Sequence, residues 1–426
     1  MAVEDYMDTS TILKTQYELK ELELNSLLEV TQAINNNLPE DSLYKIYNFT
    51  LRANLNIQKL ALYVFNDEEA QPGFWECKTN FGTQVNFSNV MLNEHFLPIQ
   101  KITRVADLKD PGFFDTFDTV IPVSHKNRML ALVFLGGTQK EIIEQQPETG
   151  TTFIQALSNI IIVAIENKKL ARRQLVQEAM RKEMEIARQV QQFLFPKQLP
   201  QQKGLQVEAS YVPHHSVGGD YYDFIKLTSN HFLFCIADVS GKGVPAAILM
   251  SNFQATLRTI VRQTMNLSEI ISELNYQVLQ SANGENFITF FMAIYDQEKK
   301  ELHYVNAGHI PPVLVNEQKK IQLLDQGTVL LGSFHPLPFL NEGLIREVDN
   351  FMLFAYTDGL TETFNADNEE YGLERLQHFL LRHIDLELKD IHRNLFKELD
   401  EFSGGDEYHD DITFLSVKVD HRVSKF

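Results

Sequence analysis

The stretch GGDYYDFIKLTSNHFLFCIADVSGKG, residues 218–243, decides the fold of the C-terminal half of this chain. It reads as two strands, YYDFIKL and HFLFCIAD, joined by a short turn around Ser229. Both are rich in the aromatic and β-branched residues that suit a pleated surface. Asp220 and Asp238 each stand nine residues from Ser229. A turn centred there places the two carboxylates opposite each other. Like charges directly across a ladder are destabilising, so such a pair either shares a proton or binds a cation. The flanking GGD and DVSGKG favour the cation, because small residues let backbone and water approach.

Further strands follow outward from this hairpin: VEASYV, FITFFMAIYD, ELHYVNAG, PPVLVN, FMLFAYTD and ITFLSVKVD. Short turns such as LTSNH and QEKK join neighbours, so the pairing reads as mostly antiparallel. Helices are expected after Gly243, Leu267, Gly372 and Leu386. Sheets covered by helices imply a layered α/β (α+β) sandwich. Two more acidic sites occupy comparable places. Asp358 ends the strand FMLFAYTD, and Asp410 and Asp411 precede ITFLSVKV. Oxygen ligands without a His or Cys set in metal-ligand spacing suit Mg²⁺ or Mn²⁺. A pocket holding two such ions is a known solution for phosphoryl hydrolysis. Singly, each motif reads as a solvated turn; the ordered set is specific.

That set, GGDYYD, ADVSGKG, NAGH, YTDG and DDIT, resembles the SpoIIE/RsbU-type branch of the PPM (PP2C-like) serine/threonine phosphatases over residues 201–420. The resemblance implies an α-β-β-α sandwich with a binuclear Mn²⁺ or Mg²⁺ centre. By motif it implies Asp220 and Asp238 as core ligands, acting in catalysis through a metal-bound water. The backbone carbonyl of Val239, Asp358 and Asp410 would complete the set, and Asp411 is the alternate to Asp410. It also implies a phosphorylated protein substrate, a STAS-type anti-anti-sigma regulator. One departure stands out. Eukaryotic relatives place an Arg shortly before the first aspartate to orient phosphate, whereas this stretch is YVPHHSVGG, with only His214 and His215, read as loop residues. SGKG (240–243) lacks the spacing of a Walker A loop and reads as a tight turn into a helix starting near Pro245. His309 of NAGH reads as structural rather than as a general acid.

A chain of 426 residues is too long for one ordinary core, so two domains with connecting helices are expected. Hydrophobic residues make up 44% and charged residues 22%, a globular balance. The net charge of −19 argues against nucleic acid or an anionic membrane as partner. Cys77 and Cys235 are far apart and read as reduced thiols. The acidic start MAVEDYMDTS is unlike a signal peptide, and the most apolar run, Phe153 to Ile165, is short for a span and interrupted by polar residues. A cytoplasmic protein is the expectation.

Residues 20–165 read as a small α/β sensor domain. A first helix spans 11–37, with Leu13, Tyr17, Leu24, Leu27 and Ile34 on one stripe, and a second spans 40–56. Strands follow at KLALYVFN (59–66), TVIPVSH (119–125) and LALVFLG (130–136), then a closing helix from about Thr151 to Glu166. The element order resembles a GAF domain, whose ligand the sequence leaves unknown. Residues 166–200 read as a helical linker. Ile162, Ile165, Val176, Ala179, Ile186, Val190 and Phe193 follow alternating three- and four-residue steps, interrupted by Lys169, Arg172 and Glu183. That is a coiled-coil seam, which implies a homodimer through the linker, or else a solvated connector. Two other functions compete with the phosphoprotein phosphatase: a catalytically silent module that binds a regulator, and a phosphatase of small phosphorylated metabolites.

Overall fold

The computed structural model describes residues 2–66, 73–92, 96–126, 128–137, 147–202, 204–214, 217–282, 286–348, 350–405 and 408–420. The chain divides into two compact units, Met1–Glu178 and Ala179–Phe426.

In the first unit, helices α1 (Ala2–Asn35) and α2 (Glu40–Phe49) precede a five-stranded antiparallel sheet. Its strands are β1 (Lys59–Asn66), β2 (Phe74–Phe81), β3 (Thr103–Arg104), β4 (Thr119–His125) and β5 (Arg128–Gly136), in the order β2-β1-β5-β4-β3. Helix α3 (Pro147–Gln192) closes the unit. Phe153, Ile154, Leu157, Ile161, Ile162 and Ile165 of α3 pack with Val30, Leu43 and Tyr47 on one sheet face. On the other face Tyr63, Phe87, Phe96, Phe114, Phe117 and Phe134 form an aromatic core with Cys77.

Two sequence expectations need correction here. Leu27 and Ile34 pack against the core as expected, but Tyr17 is 71% and Leu24 58% exposed, while Glu23, Ser26, Val30 and Ala33 are buried, so the inward stripe of α1 is rotated from the expected one. Leu13's side chain lies outside the described residues. Polar residues tolerate burial there because they are paired. Lys20 bonds Glu23 at 2.6 Å, and Ser26 donates to the Leu22 carbonyl and accepts from Asn54 Nδ2. Ile162 and Ile165 belong to the core of this unit, so the exposed apolar stripe of the linker begins only beyond them, with Val176, Ile186, Val190 and Phe193. Strand β2 was not anticipated. It is an edge strand, half-buried along almost its whole length, so its sequence carries no two-residue period.

The second unit is a sandwich of two six-stranded sheets. One sheet contains β8 (Tyr221–Lys226), β9 (His231–Val239), β10 (Ile288–Asp296), β11 (Glu301–Ala307) and β14 (Gly327–Thr328), with β15 (Gly343–Ile345) beside β11. The other runs β13 (Ile321–Leu323), β12 (Val313–Asn316), β16 (Asn350–Tyr356), β17 (Ile412–Asp420), β7 (Leu205–Val212) and β6 (Gln201–Gln202). All pairings are antiparallel except β11 with β14. Phe234, Ile236, Phe291, Leu353, Ala355, Leu415 and Val417 fill the space between the sheets. Helices α4 (Val244–Ile260) and α5 (Leu267–Ala282) cover the first sheet, burying Leu249, Met250, Phe253, Leu257, Ile270 and Leu274 against it. Past a short turn, α6 (Asp358–Thr361), helices α7 (Gly372–His383) and α8 (Leu388–Ser403) cover the second through Leu376, Phe379, Ile391, Leu395 and Leu399. The layers are therefore α-β-β-α, as the family resemblance implied; the strand and helix pattern by itself implied a layered sandwich.

The last turns of α3 belong to this unit. Phe195, just beyond the helix, sits in its core with ring centroids 5.1 Å from Tyr211 and 4.9 Å from Tyr222. Gln191 is buried; its Nε2 donates to the Gly218 carbonyl at 2.8 Å, and its Oε1 accepts from the Gly218 N–H at 3.4 Å. The end of the linker helix is thus bonded to the loop that precedes Asp220.

Candidate metal centre

The hairpin register is the one the count about Ser229 requires. Tyr221 pairs with Ala237 and Lys226 with Phe232, so one further step places Asp220 opposite Asp238. Strands β16 and β17 run side by side in the other sheet, with Tyr356 opposite Phe414. Asp358 follows the first and Asp410 and Asp411 precede the second, so all five aspartates gather at one end of the sandwich. Their mutual repulsion records this closeness. Burial raises the Asp238 carboxyl to about 7, helped by Asp358, Asp410 and Asp411. Asp220, fully buried, is pushed well above the usual carboxylate range by burial, then by Asp238 and Asp411. Burial raises Asp358, with Asp410 adding to it, and burial also raises Asp411.

Three of these carboxylates are held by named protein donors. Asp220 Oδ2 accepts from the Thr357 hydroxyl at 2.9 Å and from the Thr413 hydroxyl. Asp411 is buried and accepts from the backbone N–H of His214 at 2.8 Å and of Gly219 at 3.0 Å. Asp410 is 43% exposed and pairs with Lys242 at 2.8 Å. Asp411 therefore ties down the loop before Asp220, while Asp410 faces the opening of the site. The double glycine is a steric requirement of this arrangement. A Cβ on Gly218 would lie 1.9 Å from Asp411 Oδ2, and one on Gly219 would lie 2.8 Å from the Val239 carbonyl oxygen. His214 is a loop residue, as expected; His215 lies outside the described residues.

His309 is no proton donor to a substrate. It is buried, its Nε2 donates to the Tyr356 carbonyl at 3.0 Å, and its Nδ1 accepts from the Thr289 hydroxyl at 2.8 Å. Burial lowers its pKa to about 4, which keeps the ring neutral. It bolts β16 to the first sheet directly beneath the site, because Thr289 is the β10 partner of Asp238. Thr357 and Thr413 were missed by sequence reasoning. Their only signal was position, one residue before Asp358 and two after Asp411.

The donor set suits a hard divalent cation: carboxylates from four chain segments plus one backbone carbonyl, all oxygen. A cation would offset both the burial and the mutual repulsion that raise these carboxyls. Among the described residues, no three His, Cys, Asp or Glu side chains stand as a group able to hold an ion as placed. The carboxylates converge on one region, where Thr357 and Thr413 bond Asp220, Lys242 pairs with Asp410 and backbone N–H groups bond Asp411.

Residues 228–420 match the family model described as Stage II sporulation protein E (SpoIIE). The C-terminal unit is a SpoIIE-type phosphatase domain. The matched segment begins after Asp220 and includes Asp238, Val239, Asp358, Asp410 and Asp411. The chain is similar to the phosphoserine phosphatase RsbU of Bacillus subtilis (strain 168), at 29% identity over 246 residues, covering 57% of this chain and 72% of that protein. It is similar to the protein IcfG of Synechocystis sp., at 29% identity over 291 residues, covering 61% of this chain and 45% of that one. The SiaA-PP2C domain of Pseudomonas aeruginosa superposes with a TM-score of 0.52 at 18% identity, covering 57% of this chain and 99% of that domain. The SpoIIE-type unit thus has the PP2C fold. No helix among the described residues is long and apolar enough to cross a membrane.

Proposed function

We propose that the protein is a metal-dependent phosphatase of phosphoserine and phosphothreonine in a protein substrate. The observation that carries this reading is the meeting of Asp220, Asp238, Asp358 and Asp410 with the Val239 carbonyl at one end of the sandwich. These five are the proposed ligands of two Mn²⁺ or Mg²⁺ ions. Asp410 is preferred to Asp411 because its side chain is 43% exposed, whereas Asp411 is buried and bonded to two backbone N–H groups; Asp410 itself accepts from the Asp411 N–H and pairs with Lys242. The ions, when bound, would supply a nucleophile from water and positive charge for the phosphoryl oxygens. The chain's own part is positioning. Thr357 and Thr413 fix Asp220, the β9 ladder fixes Asp238 and Val239, and His309 holds the two sheets in register beneath them.

The likeness to a phosphoserine phosphatase supports phosphoserine as the group hydrolysed; the proposed substrate, a STAS-type anti-anti-sigma regulator, rests on the motif resemblance. The test is release of phosphate from a phosphoserine protein and from p-nitrophenyl phosphate in saturating Mn²⁺. Turnover of both is expected. Turnover of the small substrate alone would move the reading to a metabolite phosphatase. A second reading, a silent regulator-binding module, draws on the fact that no three acidic side chains yet form an ion-holding group among the described residues; inactivity on both substrates would favour it.

The first unit is proposed as a GAF-like sensor in a cytoplasmic homodimer. Val176, Ile186, Val190 and Phe193 of the expected seam are exposed, as a coiled-coil seam requires before its partner arrives. A signal would act by favouring one of two linker states that differ in site geometry. Sedimentation of the full chain at about 10 µM should give a dimer, the range in which a weak coil still associates, and Ile186→Glu should give a monomer. A monomeric wild type would remove the dimer.

A further inference from the structure

Phosphate carries negative charge, and the site is a cluster of carboxylates. Something cationic in the chain must meet the substrate besides the ions. Residues 205–219, ahead of Asp220, contain no Arg or Lys. Among the described residues, one side-chain cation is bonded to the cluster: Lys242, whose Nζ lies 2.8 Å from Asp410 Oδ2 and 3.0 Å from the His409 carbonyl. Its side chain is 48% exposed, at the opening of the site. The flanking glycines, Gly241 at φ +93° and Gly243 at φ +71°, are loosely surrounded: a Cβ on the first would meet Asn286 Oδ1 at 3.6 Å, and one on the second nothing within 4 Å, so neither neighbour crowds the lysine stem. Ser240 anchors the start of this loop by accepting from the Phe287 N–H and donating its own N–H to the Phe287 carbonyl, both at 2.9 Å. Lys242 therefore hangs on a short, anchored loop between the metal-ligand strand and helix α4.

We propose that Lys242 is the residue that binds the phosphoryl group of the substrate, and that its pair with Asp410 is the position it keeps until a metal ion takes that carboxylate. The proposal rests on the phosphatase reading above. An ammonium on a flexible stem suits both roles, since it is a compact point charge with three donors and no fixed fork. Its contact with Asp410 is half-exposed and weak enough to yield to a divalent ion. Its contact with a phosphoryl oxygen would be charge-assisted and stronger. The nearest rival is Arg188, close enough to act on the Tyr211 hydroxyl beside the cluster, but bonded to none of its carboxylates.

The two halves of the proposal give opposite signs in one variant. In Lys242→Met, Mn²⁺ titrated calorimetrically into the full-length protein should bind roughly two- to fivefold more tightly, because a competing cation is gone. KM for p-nitrophenyl phosphate and the inhibition constant of inorganic phosphate should both rise by about tenfold or more, with kcat changed much less. Lys242→Arg should recover most of the phosphate affinity. Unchanged KM in Lys242→Met, or a larger rise in Arg188→Ala, would overturn the assignment. Unchanged or weaker Mn²⁺ binding would overturn the resting contact. If the wild type turns over neither substrate, the phosphatase reading fails, while the calorimetric arm still decides whether Lys242 competes for Asp410.

Discussion

Replacing Asp238 with Asn should make the metal-free protein more stable and the enzyme inactive. Asp238 is pressed by burial and by Asp358, Asp410 and Asp411 at once. Asn keeps the shape and removes the charge. With chelator at pH 8, the melting temperature of Asp238→Asn should exceed that of wild type by about 2–6 °C, the scale of a one- to two-kilocalorie gain in a domain of this size. The same change removes an oxygen ligand from the reaction centre, so phosphate release should fall by about a thousandfold or more. The rise in melting temperature that Mn²⁺ gives the wild type should shrink in the variant. A less stable variant would mean that Asp238 serves the metal-free fold through contacts other than its charge.

The second large effect is on pH. Asp238 moves from an ordinary carboxylate value of 3.8 to about 7 in the folded chain, and Asp220, Asp358 and Asp411 move in the same direction. Between those limits the folded protein holds protons that the unfolded chain releases. The stabilisation is therefore complete below the unfolded value and lost as pH rises through the folded one. Buried His309 and His392 act oppositely. Their pKa values fall to about 4 and about 3, so they favour unfolding progressively below pH 6.5. The two effects compete in acid, and only the carboxylates act above about pH 6.5. Metal-free protein should lose melting temperature between pH 6.5 and 8.5, and Mn²⁺ should restore it. Binding near pH 7 should release protons, measurable as a dependence of the calorimetric heat on the buffer's ionisation enthalpy. A flat profile in chelator would mean that the carboxylates stand further apart in solution than they do here.

How much of this was legible in the sequence depends on range. The register about Ser229 was readable because a hairpin is a local object, and one count fixes which residues face each other. The bounds of KLALYVFN and TVIPVSH were readable for the same reason, since strand composition is local. Thr357, Thr413 and Gln191 were not. Thr413 meets Asp220 across 193 positions, and Gln191 meets Gly218 across 27, through side chains whose polarity alone says nothing about a partner. The error in α1 has another cause. Hydropathy ranks Tyr17 and Leu24 above Glu23 and Ser26, but close approach to the residues around Asn54 rewards a small, bonded serine over a bulky apolar side chain. Lys242 was visible as part of SGKG, yet its pairing with Asp410 depends on two sheets meeting at one end.

The grip of Gln191 on Gly218 bears on how such a chain can be cut and rejoined. A fragment beginning at the first strand of the sandwich would carry every aspartate and still lack the clasp on the loop in front of Asp220, together with Phe195 from the core. The portable cassette therefore includes the tail of the helix. Each residue of that helix turns the chain by about 100°. Residues spliced in upstream of Gln191 leave the clasp itself untouched and change only the rotation at which the helix enters it. The workable junction for such fusions therefore lies inside the helix, upstream of Gln191, and not at the helix's end.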